Sequence, residues 1–447
     1  MLTLLALSLL TPSSSIPTGQ VLERMVCLAD PEQGYTLYLP SNYDAGLQWP
    51  LIIALDPGAR GVVPARRFSQ AAERYGYIVV ASNNSRNGPL EPAIKAIGIL
   101  WQEATQRFSV DRRRVYLTGF SGGARMAVQL AQGSVASGVI ACGAGLLKGD
   151  PTRLPFLFVG VAGNRDMNHL EVKMLVDNLK TLGTTARFFT FDGKHSWPPP
   201  AVLTRAVEWL ELKAMEASLK PRNEVFIQTL FQSALDQAEK ERQSGDLYQA
   251  RRSYRDIVSD FGPFLDLEAQ RDELEALTGN PTYRHQVQQV EKLEAIERRT
   301  IREILDVILG QKPDRKMKWW RKKIASIRAL QKDPKDARQR RLARRLIDFV
   351  WLNGLEKSWF ASKAKEYPRS IYLARVALLV RPESSGLLYH LAKTYALNHQ
   401  DKRSMETLRK ALKAGLDPER ARKEAAFSNL ADKARFRALV GAEGKGS

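Results

Sequence analysis

Cysteine is almost absent: Cys27 and Cys142 are the only two in 447 residues. A disulfide scaffold and a zinc module built on four thiolates are both excluded, which leaves at most one bridge, between these two. Long apolar runs are equally scarce. The opening MLTLLALSLL is too short to span a bilayer, and no later stretch reaches the roughly 18 uninterrupted apolar residues of a membrane helix. With Thr11, Pro12 and Ser13 to Ser15 behind it, this run reads as an export signal over residues 1–19, although the basic residues that normally precede such a run are missing. That reading places the protein in the periplasm or outside the cell. Acidic side chains are outnumbered, 48 against 68 basic, and the net charge of +20 brings a polyanion or an anionic membrane surface into consideration without fixing either. What is present is ordinary for packed domains: 44% hydrophobic and 26% charged residues exclude a chain disordered throughout, and the length suits two or three domains.

Over residues 35–210 short apolar runs alternate with helical patterns. Strands are predicted at 35–39, 51–55, 77–81, 115–119, 138–142, 155–161 and 186–191, with helices at 64–75, 92–108, 123–132 and 169–182 between them. Such alternation implies a mainly parallel sheet covered by helices on both faces, so residues 20–214 form an α/β domain. After Lys220 and Pro221 strand signals cease. Ala, Leu, Glu, Lys and Arg recur at helical spacing, and residues 222–447 are predicted to be an all-α domain. Each half has apolar residues enough for its own core, so a cut near Lys220 is expected to leave a folded α/β fragment.

A 34-residue period runs through the helical half. Ser370, Ala374, Ala377 and Pro382 recur as Ser404, Leu408, Ala411 and Leu416, with small residues where paired helices must approach. Period and pattern resemble tetratricopeptide repeats, and Gly245, Ala250, Tyr254 and Pro263 suggest an earlier, degenerate copy in which Gly245 turns the hairpin. An irregular helical bundle is the alternative. A long charged helix without caps is read over 287–309, and residues 312–345 carry 15 basic against 3 acidic side chains around Trp319 and Trp320. A solvated helical face with two packing aromatics is the plain reading of that segment, and an anion-binding surface the alternative. No base-reading motif accompanies the charge, which sets nucleic acid aside as a partner.

The chemistry is concentrated in one constellation. An apolar strand over 115–119 runs into Gly119, Phe120, Ser121, Gly122 and Gly123 and then into a helical pattern, the setting in which G-x-S-x-G marks a nucleophile elbow. The sharp bend needs small neighbours, which Gly119 and Gly123 supply. A serine hydroxyl needs a base, and only two histidines, His169 and His195, lie in this half. His195 follows the last predicted strand and can be delivered by a loop to the sheet's C-terminal edge. His169 opens a predicted helix and is read as structural. Asp166 follows the strand at 155–161 and gives the chain order Ser121, Asp166, His195; Asp150 and Asp192 are its rivals. For the oxyanion, Gly122 offers the N–H directly after the nucleophile. A second donor is expected from the loop after strand 51–55, where Pro57 has no N–H and Gly58 or Ala59 must serve. Arg60 in that loop is read as a solvated residue, with contact to an acidic substrate as the alternative.

Residues 35–210 resemble the capless α/β-hydrolases of the esterase, feruloyl esterase and polyhydroxyalkanoate depolymerase type. The likeness rests on Tyr35 to Pro40 as an opening strand, Leu51 to Gly58 as the oxyanion strand, and Gly193 to Pro198 as the histidine loop; Asp56-Pro57 stands where that family commonly has His-Gly. By implication the activity is cofactor-free transfer of an acyl group to water, on an ester that is bulky or polymeric, because the 45 positions between Ser121 and Asp166 leave little room for a lid. The helical half would then recruit a protein partner or an anionic surface. A serine peptidase of the prolyl oligopeptidase kind and a binding scaffold with a vestigial hydrolase domain are the competing readings.

Overall fold

The structure, a computed structural model, describes residues 16–147, 149–310, 315–331 and 336–441. The expected leader therefore lies almost wholly outside the described residues, as do parts of the basic segment at 312–345. The chain divides into two compact units, one running to residue 164 and resuming over 169–278, the other made of residues 165–168 and those from 279 onward.

In the first unit eight strands, β1 (Val21–Val26), β2 (Gly34–Tyr38), β3 (Trp49–Leu55), β4 (Ile78–Ser82), β5 (Val110–Phe120), β6 (Gly138–Cys142), β7 (Leu157–Gly163) and β8 (Ala186–Phe191), form one sheet in the order β1-β2-β4-β3-β5-β6-β7-β8. Only β1 and β2 run antiparallel to their neighbours; β4, β3, β5, β6, β7 and β8 are mutually parallel. This order and these directions are those of the α/β-hydrolase fold. Parallel strands buried on both faces need apolar residues at every position, and the all-buried WPLIIAL of β3 meets that need. Alternate side chains go to opposite layers. Leu51, Ile53 and Leu55 join a core with α2 (Leu90–Arg107), α3 (Gly122–Gln132) and α4 (His169–Thr181), while Ile52 joins a core with α1 (Val62–Tyr75) and α5 (Pro200–Glu216).

Every strand expected from the sequence is present within a few residues of its expected limits. β1 is an addition, because VLERMV is mostly exposed or half-buried and lacks the apolar run that marks the central strands. Cys27 and Cys142 are both buried and form no disulfide, so the bridge left open by the sequence is not formed. Burial, with Glu103 and Asp30 nearby, pushes the Cys27 thiol up to about 11.

The first unit does not end where strands cease. It takes in α6 (Glu224–Gln243), α7 (Leu247–Phe261) and nearly all of α8 (Glu268–Gly279). Polar pairing from α7 accounts for this. Lys180 on α4 donates to Asp256 at 3.0 Å, Arg187 on β8 pairs with Asp256 and, at 3.0 Å, with Asp260, and the Trp209 indole on α5 donates to Asp260 at 2.8 Å. The compositional change at Lys220 marks the last strand and its helix, whereas the compact unit closes at Thr278.

The second unit is helical: α9 (Pro281–Ile308), α10 (Met317–Ala329), α11 (Ala337–Lys363), α12 (Tyr367–Val380), α13 (Ser385–Leu397) and α14 (Asp401–Lys413), with short helical turns beyond. The helix expected at 287–309 begins earlier, at Pro281, and it does have a cap: Asn280 accepts from the N–H groups of Thr282 and Tyr283. In α10 Trp320 is buried with its indole donating to the Tyr372 hydroxyl at 2.7 Å, while Lys316, Lys318, Arg321 and Lys322 stay exposed.

The repeat period of the sequence has a structural counterpart. Helices α12 and α14 start one full period apart, at Tyr367 and Asp401, and α11 and α13 end one period apart, at Lys363 and Leu397. The Ser370 hydroxyl donates to the Ser358 carbonyl at 2.8 Å, and one period on the Ser404 hydroxyl donates to the Ala392 carbonyl at 2.9 Å. Each pair thus carries the same buried tie. The turns repeat as well, with Gly245, Lys365 and His399 all at positive φ (79°, 62° and 53°). In each the following N–H reaches back along the helix, from Asp246 to Glu241, Glu366 to Ala361 and Gln400 to Tyr395, which closes the helix end in a Schellman motif. Among the described residues no helix is long and apolar enough to cross a membrane.

Candidate active site

β5 ends at Phe120, and α3 begins at Gly122. Ser121 between them takes φ 54° and ψ −118°, a conformation that L-residues avoid unless surrounding structure imposes it. Its N–H is held by the Cys142 carbonyl on β6 at 2.8 Å, and its own carbonyl accepts from Ala124 at 3.0 Å. The two flanking glycines are sterically required. A Cβ on Gly119 would stand 2.3 Å from the Gly123 carbonyl oxygen, and one on Gly123 would stand 2.2 Å from that of Leu55. The backbone therefore presents the serine side chain at the C-terminal edge of the sheet.

His195 reaches the same point from the loop after β8. Its Nε2 lies 2.9 Å from Ser121 Oγ, within hydrogen-bond reach for proton transfer. Its ring packs beside Phe120 with centroids 4.6 Å apart, and both Ser121 and His195 are half-buried. Asp166, fully buried, sits in the turn between β7 and α4, where its Oδ1 accepts from the Asn168 N–H at 2.9 Å. The strand end that leads into this turn lies against the histidine loop. Asn164 donates to the Phe191 carbonyl at 2.8 Å, and a Cβ on Gly163 would stand 2.3 Å from the carbonyl oxygen of Gly193. His169 is engaged locally, with its Nδ1 3.0 Å from the Gly163 carbonyl at the end of β7.

The loop after β3 departs from expectation. The Gly58 N–H donates to Asp56 Oδ1 at 2.8 Å and the Ala59 N–H to the Asp56 carbonyl at 3.1 Å, so both expected oxyanion donors are taken up inside their own turn. Asp56 is the organiser here. It also accepts from Arg60 at 2.9 and 3.1 Å and from the Trp197 indole at 2.8 Å, which ties this loop to the one bearing His195. Burial alone would raise the Asp56 pKa, but the hydrogen bonds from Arg60, Trp197 and Gly58 outweigh it and hold the carboxyl below the ordinary range. Arg60 remains largely exposed yet is committed to Asp56 rather than simply solvated.

Sequence reasoning missed Asp56 and also Asn87. The Asn87 carboxamide lies over Gly122 so closely that a Cβ there would meet its Oδ1 at 1.9 Å. Asp56 and Trp197 stand at opposite ends of the α/β region, and Asn87 precedes a whole helix and strand before Gly122, so no local pattern links either pair. The one available signal was Asp56-Pro57 in place of His-Gly.

A mixed eight-stranded sheet of this order, with a serine elbow after its fifth strand and a histidine loop after its eighth, defines an α/β-hydrolase fold. No family model and no curated protein matches the chain. Among solved structures, similar ones include an esterase of Pyrobaculum calidifontis, at 15% identity over 40% of this chain and 78% of that one with a TM-score of 0.33. Another is the S-formylglutathione hydrolase FrmB of Staphylococcus aureus, at 13% identity over 44% and 98%, TM-score 0.36. A third is a thermophilic esterase of Thermogutta terrifontis, at 12% identity over 46% and 97%, TM-score 0.37. Strand order and direction, not these likenesses, carry the fold assignment.

Proposed function

We propose that the α/β region is a serine hydrolase of carboxylic esters, and that the helical half, with tetratricopeptide-like pairs, recruits a protein partner or an anionic surface for an exported enzyme. The observation that carries the enzymatic reading is the 2.9 Å approach of His195 Nε2 to Ser121 Oγ on a strained elbow. In the first half-reaction Ser121 Oγ attacks the ester carbonyl carbon, its proton passes to His195 Nε2, and the carbonyl π pair moves onto oxygen. Collapse of the tetrahedral adduct breaks the bond to the alkoxy group, which leaves with the proton from His195. Water repeats the sequence on the acyl-serine, with His195 again as base, and releases the acid. Asp166 serves as the carboxylate that orients the imidazole and stabilises its cation. The closeness of the end of β7 to the histidine loop, at Gly163 and Gly193, supports that role.

The test is a screen of the purified protein with short acyl, aryl and peptide substrates. Ser121→Ala should lower ester turnover by about 10⁴-fold or more and abolish labelling by a fluorophosphonate. His195→Ala should be nearly as damaging, whereas His169→Ala, removing the tie to Gly163, should stay within about three-fold of wild type in the same assay. An unlabelled wild-type protein sinks the reading, and exchanged phenotypes for His195 and His169 exchange their roles.

A further inference from the structure

An acyl transfer of this kind needs two donors for the oxyanion, aimed in advance at the point where charge develops. Gly122 is the first. As the opening residue of α3 its N–H has no intrahelical acceptor, and no hydrogen bond among the described residues uses it. The loop after β3 offers neither of the two expected donors, and of its residues 57–61 only Arg60 keeps an N–H with no acceptor among the described residues. Pro57 has no N–H, Gly58 and Ala59 donate within the turn, and the Gly61 N–H donates to Asn83 Oδ1 at 3.1 Å.

The residue placed against Gly122 is Asn87. Its backbone N–H donates to the Pro57 carbonyl at 2.9 Å, and its neighbour Arg86 pairs with Gly58 in an antiparallel bridge, so residues 86 and 87 are fixed to the very turn expected to supply the donor. The carboxamide itself makes no hydrogen bond among the described residues. A position on Gly122 where a Cβ would be built lies 1.9 Å from its Oδ1 and 3.0 Å from its Nδ2. Half a turn about the last side-chain bond exchanges these two atoms and breaks no intramolecular hydrogen bond, so the amide is free to present N–H to an anion.

We propose that Asn87 is a catalytic residue whose Nδ2–H completes the oxyanion hole with the Gly122 N–H, in place of a backbone donor from the loop after β3. The proposal rests on the serine esterase reading and adds a donor to it. In the attack step the carbonyl oxygen that receives the π pair accepts from both N–H groups. Neither donor gives up its proton, and on collapse the pair returns to the carbonyl. Asn87 thus acts on the transition state more than on the bound ester, which predicts a kcat effect with little change in KM.

The experiment measures kcat and KM on an activated ester, and the rate of fluorophosphonate labelling, for the full chain and for Asn87→Ala, Asn87→Asp and Ser121→Ala. Asn87→Ala should lose about 10²- to 10³-fold in kcat with KM within about three-fold. Asn87→Asp, nearly isosteric but placing a carboxylate against the oxyanion, should fall at least as far. Both variants should still be labelled at Ser121, because the nucleophile and base are untouched, and should keep the wild-type thermal midpoint, because the side chain is exposed and holds nothing. Wild-type kcat in Asn87→Ala, or a loss expressed only in KM, overturns the assignment of Asn87 while leaving Ser121 in place. A wild-type protein that neither turns over esters nor is labelled overturns the underlying reading, and the donor role with it.

Discussion

His390 lies inside the second unit, only 3% exposed, with Nε2 2.9 Å from the Ser358 hydroxyl and its ring stacked on Trp359 at 4.8 Å. Burial, helped by the charge of Lys393, pushes its pKa down from 6.5 to about 4. The unfolded chain therefore takes up a proton between pH 6.5 and 4 that the folded unit refuses, and stability falls as pH falls through that window. The expected loss between about pH 7 and about pH 4.5 is roughly 2 kcal/mol. Hydrogen exchange of α13 at the two pH values, corrected for intrinsic rates, measures it. His390→Gln, which keeps a polar tip without a titration, should remove most of the difference; an undiminished loss would assign it to other groups. Gly122 is a second close approach, since a Cβ there would meet the Asn87 carboxamide, which would have to swing aside to admit it. The G-x-S-x-G motif leaves that position open, and the crowding there comes from the loop ahead of α2.

The hairpins of the helical pairs show the same turn built from three different residues. Gly245 adopts positive φ without strain, but Lys365 and His399 hold the same conformation at the usual penalty for a residue with a Cβ. Lys365→Gly and His399→Gly should each raise stability by about 1 kcal/mol, partly offset by the freer unfolded chain, while Gly245→Ala should cost a similar amount. Thermal unfolding of the three variants checks this, and a destabilised His399→Gly would mean that the imidazole contributes more than its backbone costs. At this scale the sequence is a good guide wherever the signal is local. The elbow, the parallel strands, Gly245 and the repeat period are all legible because spacing alone encodes them. Strand β1 is not, for want of an apolar face, and neither is the Asn280 cap, which lies ahead of where the apolar periodicity of α9 becomes clear. The donors of the Asp56 turn escape for another reason: whether an N–H is free depends on what its own loop does with it.

The expectation that a cut near Lys220 frees an intact α/β fragment conflicts with the pairing of Lys180 and Arg187 with α7. Both catalytic candidates that meet, Ser121 and His195, precede the cut, but Arg187, whose side chain is 14% exposed, would lose both its carboxylates. Removing one side of such a buried pair costs about 3–5 kcal/mol. A fragment ending at Lys220 should therefore unfold at a much lower temperature than one ending at Thr278, as scanning calorimetry of the two would show. Matching midpoints would mean that α6 to α8 are energetically incidental to the sheet.

The same pairing imposes an order of events during synthesis. Asp260 trails Arg187 by roughly 70 residues, a stretch that a ribosome adding about 5–20 residues per second needs roughly 4 to 14 s to translate. For that interval the nascent sheet has all eight strands yet an edge whose guanidinium has no counterion. The domain that carries Ser121 and His195 is thus finished by helices made after it, and slowing or pausing the ribosome between β8 and α7 lengthens the time its last strand stays exposed to misfolding and to chaperones.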